Sequence, residues 1–178
     1  FGEKEEQVVP PCYTVPQLPE GIKADGRLDE WKRFATEISD FWVADKKPSR
    51  ETRAYVACDS CNLYIGVRSF GENPRSLSRA KEPRDTMIYV FDGLEIFLKP
   101  STDGDVFHLM AGANGDRCDI RSNNIDWNGS WKVEAEHNSK VGAVDYFLVL
   151  PFANFVSGEA VSRWQMNLCR NDRSGIYE

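Results

Sequence analysis

The stretch Tyr89-Val90-Phe91-Asp92-Gly93-Leu94-Glu95-Ile96-Phe97-Leu98-Lys99-Pro100 decides the reading of this chain. Asp92-Gly93 is a turn signal, and Pro100 cannot donate to a strand ladder, so a strand is expected between them. Side chains alternate along a strand. Leu94, Ile96 and Leu98 therefore share the core face, and Glu95, Phe97 and Lys99 point the other way. One carboxylate among aromatic residues, off the core face, suits recognition of a polar ligand.

Outward from this stretch, the same alternation recurs. Strands are expected at Thr52–Cys58, Leu63–Ser69, Leu94–Lys99, Val106–Ala111, Trp131–Ala135, Val144–Leu150 and Trp164–Cys169. The turns Asp59–Asn62, Asp103-Gly104-Asp105, Asn114-Gly115-Asp116, Asn128-Gly129-Ser130 and Ser157-Gly158 punctuate them. Asp29-Glu30-Trp31-Lys32 reads as a short helical turn, with Trp31 in the core. Many short strands and no long amphipathic helix predict an all-β, antiparallel β-sandwich, jelly-roll-like, with minor helical turns. Residues 1–20 carry Pro10, Pro11, Pro16 and Pro19 and read as an extended lead-in; the sandwich is expected over 21–178.

Strand parity narrows the site. If Phe107, Leu109 and Ala111 face the core, His108 lies off it. If Trp164, Met166 and Leu168 face the core, Gln165 and Asn167 lie off it. Glu95, His108, Gln165 and Asn167 then occupy one class of outward face. A solvated outer face, normal for an antiparallel sheet, accounts for the same pattern.

Composition limits the function classes. The chain has 178 residues, 41% of them hydrophobic and 28% charged, which suits one soluble globular domain. A net charge of -6 argues against nucleic acid, whose phosphates call for a basic stripe. No apolar run reaches the roughly 18 residues of a membrane span, so no membrane insertion is expected. The chain opens on Phe1 with no signal-peptide pattern and reads as a trimmed or mature segment. Five cysteines (Cys12, Cys58, Cys61, Cys118, Cys169) leave at least one without an internal partner. Cys58 and Cys61 bracket a turn and are compatible with unpaired thiols, a local disulfide or a metal or redox role. Catalytic signatures are missing: no Gly-x-Ser-x-Gly elbow, phosphate-binding glycine loop or His-Glu-x-x-His helix occurs.

A series of motifs then resembles the family 9 carbohydrate-binding modules. They are Lys23-Ala24-Asp25-Gly26-Arg27-Leu28-Asp29-Glu30-Trp31, Asn62-Leu63-Tyr64-Ile65-Gly66-Val67, Asp92-Gly93-Leu94-Glu95-Ile96-Phe97-Leu98, Trp131, Leu150-Pro151-Phe152, and Trp164-Gln165-Met166-Asn167-Leu168-Cys169-Arg170. Their order covers about residues 22 to 172. The resemblance implies a β-sandwich that binds mono- or oligosaccharides, with two aromatic rings clamping the sugar, in a family whose members carry structural calcium. By position it implies Tyr89 as the first clamp aromatic, Glu95 as acceptor of sugar hydroxyls, His108 as the cationic donor and Asn167 as the late amide. Aromatic faces suit the C–H face of a pyranose, and carboxylate and amide groups suit paired hydroxyls. Gln165 and the loop residue Trp127 are further carbohydrate-binding candidates. Asp103, Asp105, Asp116 and Asp119 offer the hard oxygens calcium favours.

The sequence departs from the family in carrying Tyr rather than Trp at position 89 and a histidine at 108. The second clamp aromatic is implied beyond Asn171-Asp172, in a last strand that the span to Glu178 leaves little room for; Tyr177 is the late aromatic available. The leading expectation is a secreted, extracellular or periplasmic, non-catalytic module that serves polysaccharide degradation beside a glycoside hydrolase or other partner domains. Two rivals stand beside it. One is a structural or interaction domain of a larger extracellular protein. The other is a haem-binding redox domain of related fold, for which Met87, His108, Met110 and Met166 are ligand types.

Overall fold

The computed structural model describes residues 10–43, 46–72, 79–86, 88–100, 104–156 and 163–172. Two antiparallel sheets pack face to face. The first has the order β1 (Thr36–Ile38), β2 (Thr52–Cys58), β3 (Asn62–Phe70), β8 (Ala143–Pro151) and β7 (Lys132–Asn138). The second has the order β6 (Arg117–Arg121), β5 (Phe107–Gly112), β4 (Gly93–Lys99) and β9 (Gln165–Asn171). The expected strands are all present; β2 has the expected ends, and the others are shifted at one or both ends. β1 and β6 are additional: β1 is short, and β6 is rich in charge, so neither carries a strong apolar alternation.

The core follows from parity. Ala54, Val56, Leu63, Ile65, Val67, Val144, Tyr146, Leu148 and Leu150 come from the first sheet. Leu94, Ile96, Leu98, Phe107, Leu109 and Ala111 come from the second. Trp131 lies just before β7 and is fully buried, as its size favours.

The two outer faces have different fates. On the first sheet, helix α1 (Leu28–Trp31) lies over Tyr55, Ala57 and Phe147 and buries Trp31 completely. Gly66 makes this possible, since a Cβ there would stand 2.5 Å from Leu28 Cδ1 and 2.9 Å from the Trp31 ring. The buried Arg68 guanidinium then holds Asp145 at 2.7 Å and reaches Asp29 of α1 at 3.1 Å. Its hydrogen bond, followed by that of Lys32, lowers the Asp29 pKa to about 2. Pro16–Leu18 also dock here, through Leu18 N–H to the Cys58 carbonyl (2.8 Å) and Cys58 N–H to the Pro16 carbonyl (2.9 Å). The lead-in is therefore tied to β2 at this end. On the second sheet, Gln165 and Asn167 are exposed and Glu95, Phe97 and His108 half-buried. That face is the accessible one.

Candidate functional site

The outer face of the second sheet is a grid of rows running across β6, β5, β4 and β9. One row carries Cys118, Met110, Glu95 and Cys169; the next carries Ile120, His108, Phe97 and Asn167. Gly93 and Asn171 pair beyond the first row, and Lys99 and Gln165 pair beyond the second. Neighbouring strands lie about 4.8 Å apart, so adjacent members of a row are in side-chain contact range.

Glu95 is the hub of this grid. His108 Nε2–H donates to Glu95 Oε2 at 2.8 Å, and Asn171 Nδ2 donates to Glu95 Oε1 at 2.7 Å. Both contacts are diagonal. The Asn171 contact crosses the position of Gly93, which adds no side chain in the way. Gly93 is itself required, since a Cβ there would collide with the Ala111 carbonyl oxygen. Phe97 lies flat on His108, with ring centroids 4.1 Å apart and planes within 15°, and so fixes the imidazole plane. The carboxylate keeps lone pairs beyond the two already engaged, because it offers about four acceptor positions. Its side chain retains 19% exposure and that of His108 21%.

Asn171 is held in register by its inward neighbour. Arg170 crosses the sandwich to the Thr52 hydroxyl (3.2 Å), the Glu51 carbonyl (3.2 Å) and the Phe70 carbonyl (2.9 Å). Arg50 reaches Asp172 at 2.7 Å. Arg170 also faces Glu72 at 3.5 Å, while the Tyr146 hydroxyl donates to Glu72 at 2.8 Å. Burial pushes the Glu72 pKa up to about 7, against the lowering effects of the Tyr146 bond and Arg170, with Asp92 adding to the rise.

Tyr89 belongs to a 3-10 turn, Ile88–Val90, that lies over one margin of the grid. Ile88 is buried against Met110 and Cys118, and its neighbour Tyr89 is 40% exposed. The turn is positioned by the preceding strap. Arg79 pairs with the buried Asp116 and lies 3.7 Å over the Phe91 ring. Glu82 N–H donates to Asp116 at 3.1 Å. Arg84 pairs at 2.7 Å with Asp119, which has no exposed surface and also accepts from Gly129 N–H at 2.6 Å.

These pairings answer the calcium expectation. Asp116 and Asp119 spend their oxygens on arginine and backbone donors, and Asp105 on Arg121 and Ser122. Among the described residues no cluster of three or more His, Cys, Asp or Glu has the arrangement of a metal site. Asp105, Asp116 and Asp119, the described members of that set, are engaged as they stand and do not form a calcium site. Asp103 lies outside the described residues.

The other sequence candidates divide. Asn167 and Gln165 share the Glu95 face, but the Asn167 amide turns to Cys169 Sγ at 3.5 Å rather than to Glu95. The amide that reaches Glu95 is Asn171, two turns of the alternation further along. Ending the expected strand at Cys169 hid it. Trp127 is placed elsewhere, packed on Phe107 (5.1 Å) and Phe155 (6.2 Å) at the inner face. Of the haem-type residues, Met110 is buried under Ile88, Met166 lies on the core side of its strand, and Met87 is outside the described residues. All five cysteines are free thiols. Tyr177 lies outside the described residues.

No protein-family pattern matches the sequence, and no curated protein does. Solved structures do share the fold. A candidate carbohydrate-binding protein from Bacteroides uniformis superposes with a TM-score of 0.67 at 12% identity, over 90% of this chain and 84% of that one. A family 9 carbohydrate-binding module from Caldicellulosiruptor kristjanssonii in complex with cellotriose gives 0.56 at 13% identity, over 90% and 85%. A module of that family and organism in complex with glucose gives 0.57 at 12% identity, over 90% and 87%. The chain thus shares the β-sandwich fold of these modules.

Proposed function

We propose that this chain is a non-catalytic carbohydrate-binding domain whose site is the outer face of the second sheet. One observation carries this reading: Glu95 is held between His108 and Asn171 on an accessible face with an aromatic floor. In this role Glu95 accepts vicinal hydroxyls, His108 and Asn171 orient it, the second N–H of the Asn171 amide donates beside it, and Tyr89 supplies the stacking margin. Phe97 supports the imidazole. The shared fold with modules that bind glucose and cellotriose supports the substrate class.

With one aromatic wall the expected affinity is millimolar, about 4 kcal/mol. A secreted setting, extracellular or periplasmic, and an association with polysaccharide breakdown belong to the same proposal. Titration with glucose, cello-oligosaccharides and xylo-oligosaccharides tests it, comparing the wild type with Glu95→Ala and Tyr89→Ala. Saturable binding that both variants weaken is expected. Binding that survives Glu95→Ala unchanged would move the site elsewhere, and absence of binding would favour an interaction domain.

A further inference from the structure

The strand that carries Glu95 continues past the site. β4 turns Glu95, Phe97 and Lys99 to the outer face, each half-buried, between the buried Leu94, Ile96 and Leu98. Lys99 pairs in register with Gln165 of β9, and Phe97 pairs with Asn167 in the preceding row. Both amide residues are exposed. Along β4 the outer face therefore runs from the Glu95 carboxylate, over the stacked Phe97 and His108 rings, to the Lys99 ammonium. One amide residue lies opposite Lys99 and another on the diagonal.

Lys99 differs from the other cations around the site. Arg50, Arg79, Arg84 and Arg170 are each paired with a carboxylate. The Lys99 side chain forms no ion pair or hydrogen bond with the described residues, and neither does that of Gln165. Asp105, two residues before β5, is spent on Arg121 and Ser122. Across the paired rows of this face Glu95 is the one carboxylate. Four residues of strand separate its position from that of Lys99 by about 13 Å. That exceeds the Debye length of about 8 Å at physiological salt, so the two charges act on separate parts of a ligand.

We infer that Lys99 is the specificity residue of an acidic-sugar subsite, which receives the carboxylate or sulfate of one residue of an oligosaccharide while a neighbouring residue occupies the Glu95 site. The inference rests on the carbohydrate reading above and narrows its ligand class to acidic oligosaccharides. The ammonium brings a charge and three donors, and the Gln165 and Asn167 amides bring N–H groups for the remaining anion oxygens. Asn167 does so with the N–H it does not give to Cys169. One sugar ring is too short to span both positions; a chain is not. The net charge of -6 repels an anionic chain as a whole, so a preference for one has to come from a local cation.

The test is calorimetric or NMR titration of the intact protein with cellotriose, with cellotriose oxidised to glucuronic acid at one terminal residue, and with cellotriose sulfated at the 6-hydroxyl of one terminal residue. Each acidic trimer is used with the charge at either end, in separate titrations. Wild type, Lys99→Gln and Glu95→Ala are compared, with circular dichroism to check folding. At low salt the wild type is expected to bind an acidic trimer about three- to fivefold more tightly than cellotriose, as one partly exposed charged contact allows. That ratio should fall to about one or below in Lys99→Gln, and in the wild type at about 0.5 M salt. The trimer with the larger ratio identifies the anionic group. Glu95→Ala should weaken all the trimers. If the wild type prefers no acidic trimer at low salt, while cellotriose binds in a Glu95-dependent way, the acidic subsite is overturned and the Glu95 reading stands. A preference that survives Lys99→Gln would overturn Lys99 as its source. Acidic trimers that keep full affinity in Glu95→Ala would overturn the placement beside the Glu95 site. Failure of the wild type to bind any of these sugars would overturn both readings together.

Discussion

Replacing Glu95 by glutamine removes one charge and almost no volume, which isolates what the carboxylate does. In the native site both oxygens accept, one from His108 and one from Asn171. Glutamine keeps one oxygen and turns the other position into a donor. If the new amide faces His108, the imidazole can move its proton to Nδ1 and accept at Nε2. The internal cost is then about one neutral hydrogen bond in a partly wet site, about 1 kcal/mol, or a fall in Tm of about 2–4 °C for a domain of this size. Binding is expected to suffer more. Charged acceptors make bonds roughly twice as strong as neutral ones, so two sugar hydroxyls lose about 1 kcal/mol each. About 2 kcal/mol corresponds to about a 30-fold loss of affinity. NMR titration with glucose and cellotriose reads affinities in this weak range, and thermal melts give the stability term in parallel. A binding change below about threefold, with the protein folded, would refute the assignment of Glu95 as the charged acceptor.

Three further predictions concern the frame around the site. Glu72 has a folded pKa raised from 4.5 to about 7, chiefly by burial, so the folded state holds its proton more tightly than the unfolded chain. This contribution is present below about pH 4.5 and is lost as pH rises through about 7, amounting to about 3 kcal/mol. Denaturant unfolding at a series of pH values should show that decline in the wild type relative to Glu72→Gln; parallel profiles would refute it. Arg84→Ala leaves the fully buried Asp119 without its guanidinium, at a cost of about 3 kcal/mol and a fall in Tm of about 6–12 °C. EDTA should not shift the wild-type Tm, because arginine holds Asp105, Asp116 and Asp119. A chelator-induced drop comparable to that of Arg84→Ala would show that a metal does this work instead.

Parts of this protein were legible before any coordinates. Alternation in Leu94–Lys99 and Val106–Ala111 placed Leu94, Ile96, Leu98 and Leu109 inside and Glu95 and His108 outside, because a strand's period of two leaves no other choice once one face is buried. The same rule put Gln165 and Asn167 on the Glu95 face. It carried the sandwich class, while the short helical turn at Trp31 was legible separately, in Asp29-Glu30-Trp31-Lys32.

What local pattern could not carry was which outward residues meet. Asn167 and Asn171 share parity, and nothing in the chain between them says which reaches Glu95. That depends on the register of β9 on β4, which places Asn171 opposite Gly93 and is anchored by Arg170 on Thr52 and Phe70. Asp116 and Asp119 likewise look like oxygen ligands until the strap brings Arg79 and Arg84 against them from more than thirty positions away. The sequence by itself determined which side of each strand faces the core, since that follows from alternation and the burial of apolar surface. Only the tertiary structure decided the partners of the charged and amide groups, because those contacts are set by strand register and loop crossings between residues far apart in the chain.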